Sequence, residues 1–185
     1  GNTASCSFTV TVEDSEPPNA ICQDITVYLN NAGTVTVSAN AVNGGSTDNC
    51  GVETVAISGG TFNCLNVGDN NLTLTVTDNA GNTASCVATV TVADNLLPTF
   101  TCPAPVTVSS CVNVIPDVVS GIIDETDNCG IASVMQNPAA GVAFGNTTVI
   151  TVTVTDVHGN SATCNVPVTR NDLQAPVFVN CPTTT

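Results

Sequence analysis

Leu72-Thr73-Leu74-Thr75-Val76-Thr77 runs into Asp78-Asn79-Ala80-Gly81-Asn82 and then into Thr83-Ala84-Ser85-Cys86. In the first six residues every second side chain is apolar and the others are threonine. A period of two, carried largely by β-branched residues, is that of a half-buried strand. The Asp-Asn-Ala-Gly-Asn cluster is a turn, because Asx side chains bond local backbone and glycine accepts a positive φ. Ile150-Thr151-Val152-Thr153-Val154-Thr155 and the cluster Asp156-Val157-His158-Gly159-Asn160 repeat the arrangement. No stretch sustains a helical period. Short strands punctuated by Asn, Asp and Gly predict an all-β protein of immunoglobulin-like β-sandwich domains in tandem.

The tandem arrangement follows from an internal repeat. Gly-Asn-Thr-Ala-Ser-Cys stands at residues 1–6 and again at 81–86, and Gly-Asn-Ser-Ala-Thr-Cys follows at 159–164. The copies lie about eighty residues apart, and a fixed period of that kind defines an array. Val10, Val90 and Val168 share one position in the strand after the hexapeptide. Cys22, Cys102 and Cys181 open successive units, after Pro17-Pro18, Pro98 and Pro176. Thr47-Asp48-Asn49-Cys50-Gly51 matches Thr126-Asp127-Asn128-Cys129-Gly130. Two complete units are therefore predicted at residues 14–93 and 94–171. Residues 1–13 are expected to be the last strand of a preceding unit, and residues 172–185 the first strand of a following one. Gly1 falls inside a motif, so the natural N-terminus is expected elsewhere.

Composition narrows the function. The chain has 185 residues, 15 acids, one arginine (Arg170), no lysine and a net charge of −14. Nucleic acid is excluded as a partner, because phosphate contacts need Lys or Arg, and so are anionic membrane surfaces. No run is long and apolar enough to span a bilayer. Ten cysteines in units this small imply a disulfide framework formed in an oxidising compartment. Zinc would want a Cys-x-x-Cys pair or several histidines, and His158 is the sole histidine. It occupies a turn position held by Ala80 in the other unit, which suits an exposed turn residue and not a base. There is no Gly-x-Ser-x-Gly elbow, and cysteines committed to disulfides are not nucleophiles. The reading is a protein that is not an enzyme.

Cys102-Pro103 opens a unit, Asp127-Asn128-Cys129 lies mid-unit, and Thr155-Asp156 leads through Gly159-Asn160 to Cys164. In these motifs the chain resembles the hyalin repeat, an immunoglobulin-like extracellular module. The resemblance covers nearly the whole chain. It departs where Gln23 follows Cys22, where the fourth cysteine moves from Cys64 in one unit to Cys111 in the other, and where Arg170 replaces an apolar residue. It implies tandem arrays in secreted adhesion proteins, including bacterial surface adhesins. The expected function is a structural stalk or filament segment, and the alternative is a ligand- or glycan-binding module of a larger secreted protein. Expected partners are neighbouring repeats, other copies in a filament, and a cell-surface or glycan ligand.

Immunoglobulin-like geometry puts the loop carrying Cys50 and the turn preceding Cys86 at one end, which pairs Cys50 with Cys86 and Cys129 with Cys164. Two schemes stand for the remainder. One staples neighbouring domains through Cys64–Cys102 and Cys111–Cys181, leaving Cys6 and Cys22 for a preceding unit. The other is sequential, with Cys6–Cys22, Cys86–Cys102 and Cys164–Cys181.

Acids gather where loops and linkers meet. Glu13, Asp14 and Glu16 occupy the first linker, and Asp48 and Asp78 lie in loops at the adjoining end. Asp94, Asp124, Glu125, Asp127 and Asp156 are their counterparts in the second unit. Such carboxylates are hard oxygen ligands suited to calcium. Asp and Asn are equally ordinary turn formers, and both readings stand. For carbohydrate the chain offers few aromatics: Tyr28 and five phenylalanines, of which Phe8, Phe62 and Phe144 fall at core positions. Asn71-Leu72-Thr73 and Asn146-Thr147-Thr148 fit the glycosylation pattern.

Overall fold

The structure, a computed structural model, describes residues 1–109, 111 and 113–171. The chain divides into two compact units, Gly1–Asp94 and Asn95–Thr185. Each is all-β among its described residues apart from one short helix (α1, Ala39–Val42) and a 3₁₀ turn, Cys64–Asn66, in the first.

In unit 1 the alternating segment forms the hairpin expected of it. β1 is Ile25–Tyr28, β2 Thr34–Thr36, β3 Val52–Ile57, β4 Thr61–Asn63, β5 Gly68–Asp78 and β6 Thr83–Ala93. The main sheet has the order β1-β6-β5-β3, and β2 pairs with β4 in a second layer. β5 and β6 are antiparallel, with Leu74 opposite Cys86 and Thr77 opposite Thr83. The apolar members of the alternation point inward: Leu74, Val76, Ala88 and Val90 are fully buried, with Phe62 and Val42 closing the core from the other layer.

Unit 2 repeats the plan. β7 is Val106–Ser109, β8 Ile131–Asn137, β9 Thr147–Asp156 and β10 Ser161–Asn171, in the order β7-β10-β9-β8. Ile115, Val118, Ile150, Val152, Val166 and Val168 form its core, with Phe144 packed against them. Both units carry the same irregularity, a register shift at Val52/Thr54 in β3 and at Ile131/Ser133 in β8.

The first strand of each unit lies parallel to its last. Ile25 pairs with Val90 and Val27 with Val92, while Val106 pairs with Val168. This pairing overturns the expected cysteine scheme. A parallel register carried back toward the strand starts sets Cys22 within one residue of Cys86 and Cys102 beside Cys164. Both pairs are disulfide-bonded, with Cα separations of 5.8 and 6.0 Å, inside the range such a bond allows. Cys50–Cys86, Cys129–Cys164 and the Cys64–Cys102 staple are therefore incorrect, as are Cys6–Cys22, Cys86–Cys102 and Cys164–Cys181. Cys64 and Cys129 are also disulfide-bonded. Cys50 and Cys6 are exposed thiols. Cys181, the expected partner of Cys111, and the expected strand over residues 172–185 lie outside the described residues.

Residues 1–13 contain no strand in this structure and are exposed throughout. Phe8, expected in a core, is 86% exposed.

Candidate functional site

One end of unit 1 is built from three chain segments that meet through backbone and amide contacts. The hairpin turn comes first. Asp78 Oδ1 accepts from the backbone N–H of Ala80 (2.9 Å) and of Asn82 (2.8 Å), and its Oδ2 accepts from the Asn82 side-chain amide (2.8 Å). Gly81 supplies the positive φ, 91°, that the turn requires. Asp78 is fully buried. Burial opposes its charge, but the hydrogen bonds from Asn82, Ala80 and Gly81 outweigh it and hold the carboxyl below the ordinary aspartate value. The Thr-Asp-x-x-Gly-Asn motif is thus a buried aspartate that organises its own turn. Asp156 does the same in unit 2, accepting from His158 and Asn160 at 2.8 Å each.

The loop of residues 48–51 docks on this turn. Asn79 donates its side-chain amide to the Cys50 carbonyl (2.8 Å) and its backbone N–H to that of Gly51. Asp48 Oδ1 caps the loop by accepting from Cys50 N–H at 2.8 Å, and Asp127 caps Cys129 identically in unit 2. The third segment is the linker. The Asn82 side chain donates to the carbonyls of Asp14 (3.2 Å) and Glu16 (3.3 Å), and Glu16 Oε2 accepts from the Asn49 side chain.

These contacts bring the carboxylates of Asp14, Asp48 and Asp78 together, with one oxygen from each within 4.8 Å of the others. Glu13 and Glu16, placed in the same set from sequence, stand outside it: Glu13 is exposed and Glu16 is engaged with Asn49. Asp14 Oδ2 is buried and makes no hydrogen bond. Unit 1 contains no Lys, Arg or His, so none of its own side chains can neutralise the three charges. The field is felt by Cys50, whose thiol pKa is raised first by its contact with the Asp14 carboxylate, then by burial and by Asp48 and Asp78.

Sequence reasoning did not foresee this thiol, having assigned Cys50 to a disulfide. Elsewhere, unit 2 has an open cleft beside Cys102 and Pro103, and its one charged lining group, Asp124, is already used by Thr101 N–H at 3.1 Å. Tyr28 is 55% exposed at the end of β1. Arg170 donates to the Asn146 side chain at 2.9 Å, at the second glycosylation pattern.

A disulfide-closed immunoglobulin-like sandwich of this kind belongs in an oxidising, extracellular setting, where such bonds persist. Residues 13–92, within unit 1, match the family model of the HYR domain. No curated protein sequence matches the chain. Among solved structures it is similar to extracellular cadherin domains 1–4 of protocadherin gamma B7 (11% identity, TM-score 0.33, covering 84% of this chain and 51% of that one). It is also similar to titin domains z1z2 in complex with telethonin (12%, 0.37, 89% and 100%). A third similarity is to the human desmocollin-1 ectodomain (11%, 0.32, 92% and 39%). The chain thus spans about half the length of the protocadherin. These likenesses are distant and carry no functional inference.

Proposed function

We propose that the chain is a stalk segment of an extracellular adhesion protein, built from tandem HYR-type units that set reach and resist tension. The observation that supports it best is the covalent latch between first and last strand in each unit, Cys22–Cys86 and Cys102–Cys164. In unit 1, β1 and β6 run parallel from these cysteines. Tension entering upstream of Cys22 passes through the sulfur bridge into β6 and leaves the unit. The residues between the two cysteines are bypassed, and within the unit only the part of β6 after Cys86 carries the load. Unit 2 would work in the same way as a second HYR-type repeat.

Calcium fits the second feature. Asp14, Asp48 and Asp78 would hold the ion, and the buried, unbonded Asp14 Oδ2 is an oxygen that a cation would satisfy. Its charge would cancel the repulsion among the three carboxylates and tie the linker to both loops. Calorimetry on the full chain, compared with Asp14→Asn/Asp48→Asn, tests this part. No heat at millimolar calcium would leave these acids as turn formers.

The stalk reading is tested in the natural surface protein by replacing these units with an unrelated folded spacer of equal length. Adhesion should survive. Its loss would show that the units themselves bind a ligand, the alternative role.

A further inference from the structure

Each main sheet has two edges, where backbone N–H and C=O groups lack a ladder partner. Such an edge is a template for any extended strand, and soluble proteins blunt it by shortness or by charge. Three of these edges are blunted. β1 and β7 have four residues each. β3 carries Glu53, exposed, at the register shift between Val52 and Thr54. The edge at β8 has no such guard. β8 has seven residues, Ile131–Asn137, none of them charged. Its own register shift, between Ile131 and Ser133, matches that of β3, and the exposed Ala132 stands where β3 has Glu53. Among the described residues β8 pairs with β9 alone, and no backbone bond reaches its other side.

The surface beside this edge is neutral too. Met135 is 65% exposed on the outer face of β8, opposite Thr153. Ser133 lies opposite Thr155 and Asn137 opposite Thr151, and these threonines adjoin Ser161, Thr163 and Asn165 of β10. In a chain of net charge −14, copies can meet here without bringing carboxylates together. Antiparallel pairing of a strand with its own copy is two-fold symmetric, so one strand supplies both halves of the contact.

We propose that the free edge of β8 is a self-association surface, on which β8 of one copy pairs antiparallel with β8 of a second and joins two four-stranded sheets into one. This goes beyond the stalk reading and does not depend on it. Main-chain hydrogen bonds supply the attraction, as in other strand additions. The net charge of the two copies opposes it, and salt screens that repulsion. Association therefore strengthens with salt, the reverse of what an ion-paired interface does. A glutamate at position 132 would set one carboxylate from each copy at the seam.

The test is sedimentation equilibrium of the full chain, with thiols alkylated so that no disulfide links copies. A monomer–dimer equilibrium is expected, its association constant rising severalfold between about 0.1 and 0.5 M sodium chloride. Ala132→Glu should weaken it at least about tenfold, since like charges brought together at an interface are costly. Amides of β8 should exchange more slowly in concentrated than in dilute protein. Unit 1 accommodates Glu53 at the same backbone irregularity, so the melting point of unit 2 should hold in this variant. If it falls, Met135→Lys, at an exposed side chain, carries the same test. A chain that stays monomeric at about millimolar concentration in both salts would overturn the proposal. So would a dimer that neither variant weakens, or one that a calcium chelator abolishes. Each of these results leaves the stalk reading to its own spacer-replacement test.

Discussion

Removing the latch of unit 1 by Cys22→Ala with Cys86→Ala should destabilise that unit severely and leave unit 2 as an internal standard. The two cysteines are 64 residues apart. In the chain-entropy treatment, freeing a loop of that length costs about 4 kcal/mol at 25 °C. A domain of this size has a total stability of roughly 4–12 kcal/mol, so the loss is between a third and the whole of it. At about 4–8 °C per kcal/mol for a small domain, the melting point should fall by roughly 15–30 °C. β1 is the weak element: four residues at the sheet edge, whose ladder is continued only by Leu29 N–H donating to Ala93 (3.0 Å). Calorimetry of the full chain should show one transition moving and one, held by Cys102–Cys164, staying. Hydrogen exchange should speed up first at β1. A shift of only a few degrees, or a parallel fall of both transitions, would refute the view that this disulfide closes unit 1 independently.

Leu74 is fully buried, and Leu74→Ala should cost about 2–5 kcal/mol in unit 1 alone, read by urea titration. Asp14→Asn removes the first cause of the raised Cys50 pKa, so more thiolate is present at a given pH. Alkylation of Cys50 at pH 8 should rise severalfold, with Cys6 as the reference thiol. Asp78 and Asp156 hold depressed pKa values in the folded state. Their contribution is present above the unfolded aspartate value and is lost as pH falls through the folded one. Acid titration of the melting point should therefore decline below the ordinary aspartate range, and the decline should be flatter in Asp78→Asn with Asp156→Asn.

The strand alternation around Leu72–Thr77 and the Asp78–Asn82 turn were legible because periodicity and turn chemistry are local. The meeting of Asp14, Asp48 and Asp78 was legible too, since the immunoglobulin plan places those loops at one end. The disulfides were not. Cys50–Cys86 and Cys129–Cys164 recur as regularly along the chain as the pairs that form, so spacing could not choose between them. What chooses is the parallel edge pairing of first and last strands, a long-range contact without a local signature. Its trace in the sequence is that Cys22 and Cys102 stand three or four residues before the strand they lead, as Cys86 and Cys164 precede Val90 and Val168. Glu13 and Glu16 were misplaced because carboxylate count says nothing of direction: Asn49 takes one, and solvent the other.

The most direct test of the latched stalk is extension of the single molecule under force, with and without reductant. With Cys22–Cys86 and Cys102–Cys164 intact, neither unit can release the residues enclosed by its bridge. Separations of 64 and 62 residues correspond to roughly 200–230 Å of hidden contour each, at about 3.3–3.6 Å per residue. The account expects no step of that length from the oxidised chain and one such step per unit once reductant is added. Steps of that length from the oxidised chain would show that the bridges do not close the units from first strand to last, and would contradict the stalk mechanism at its base.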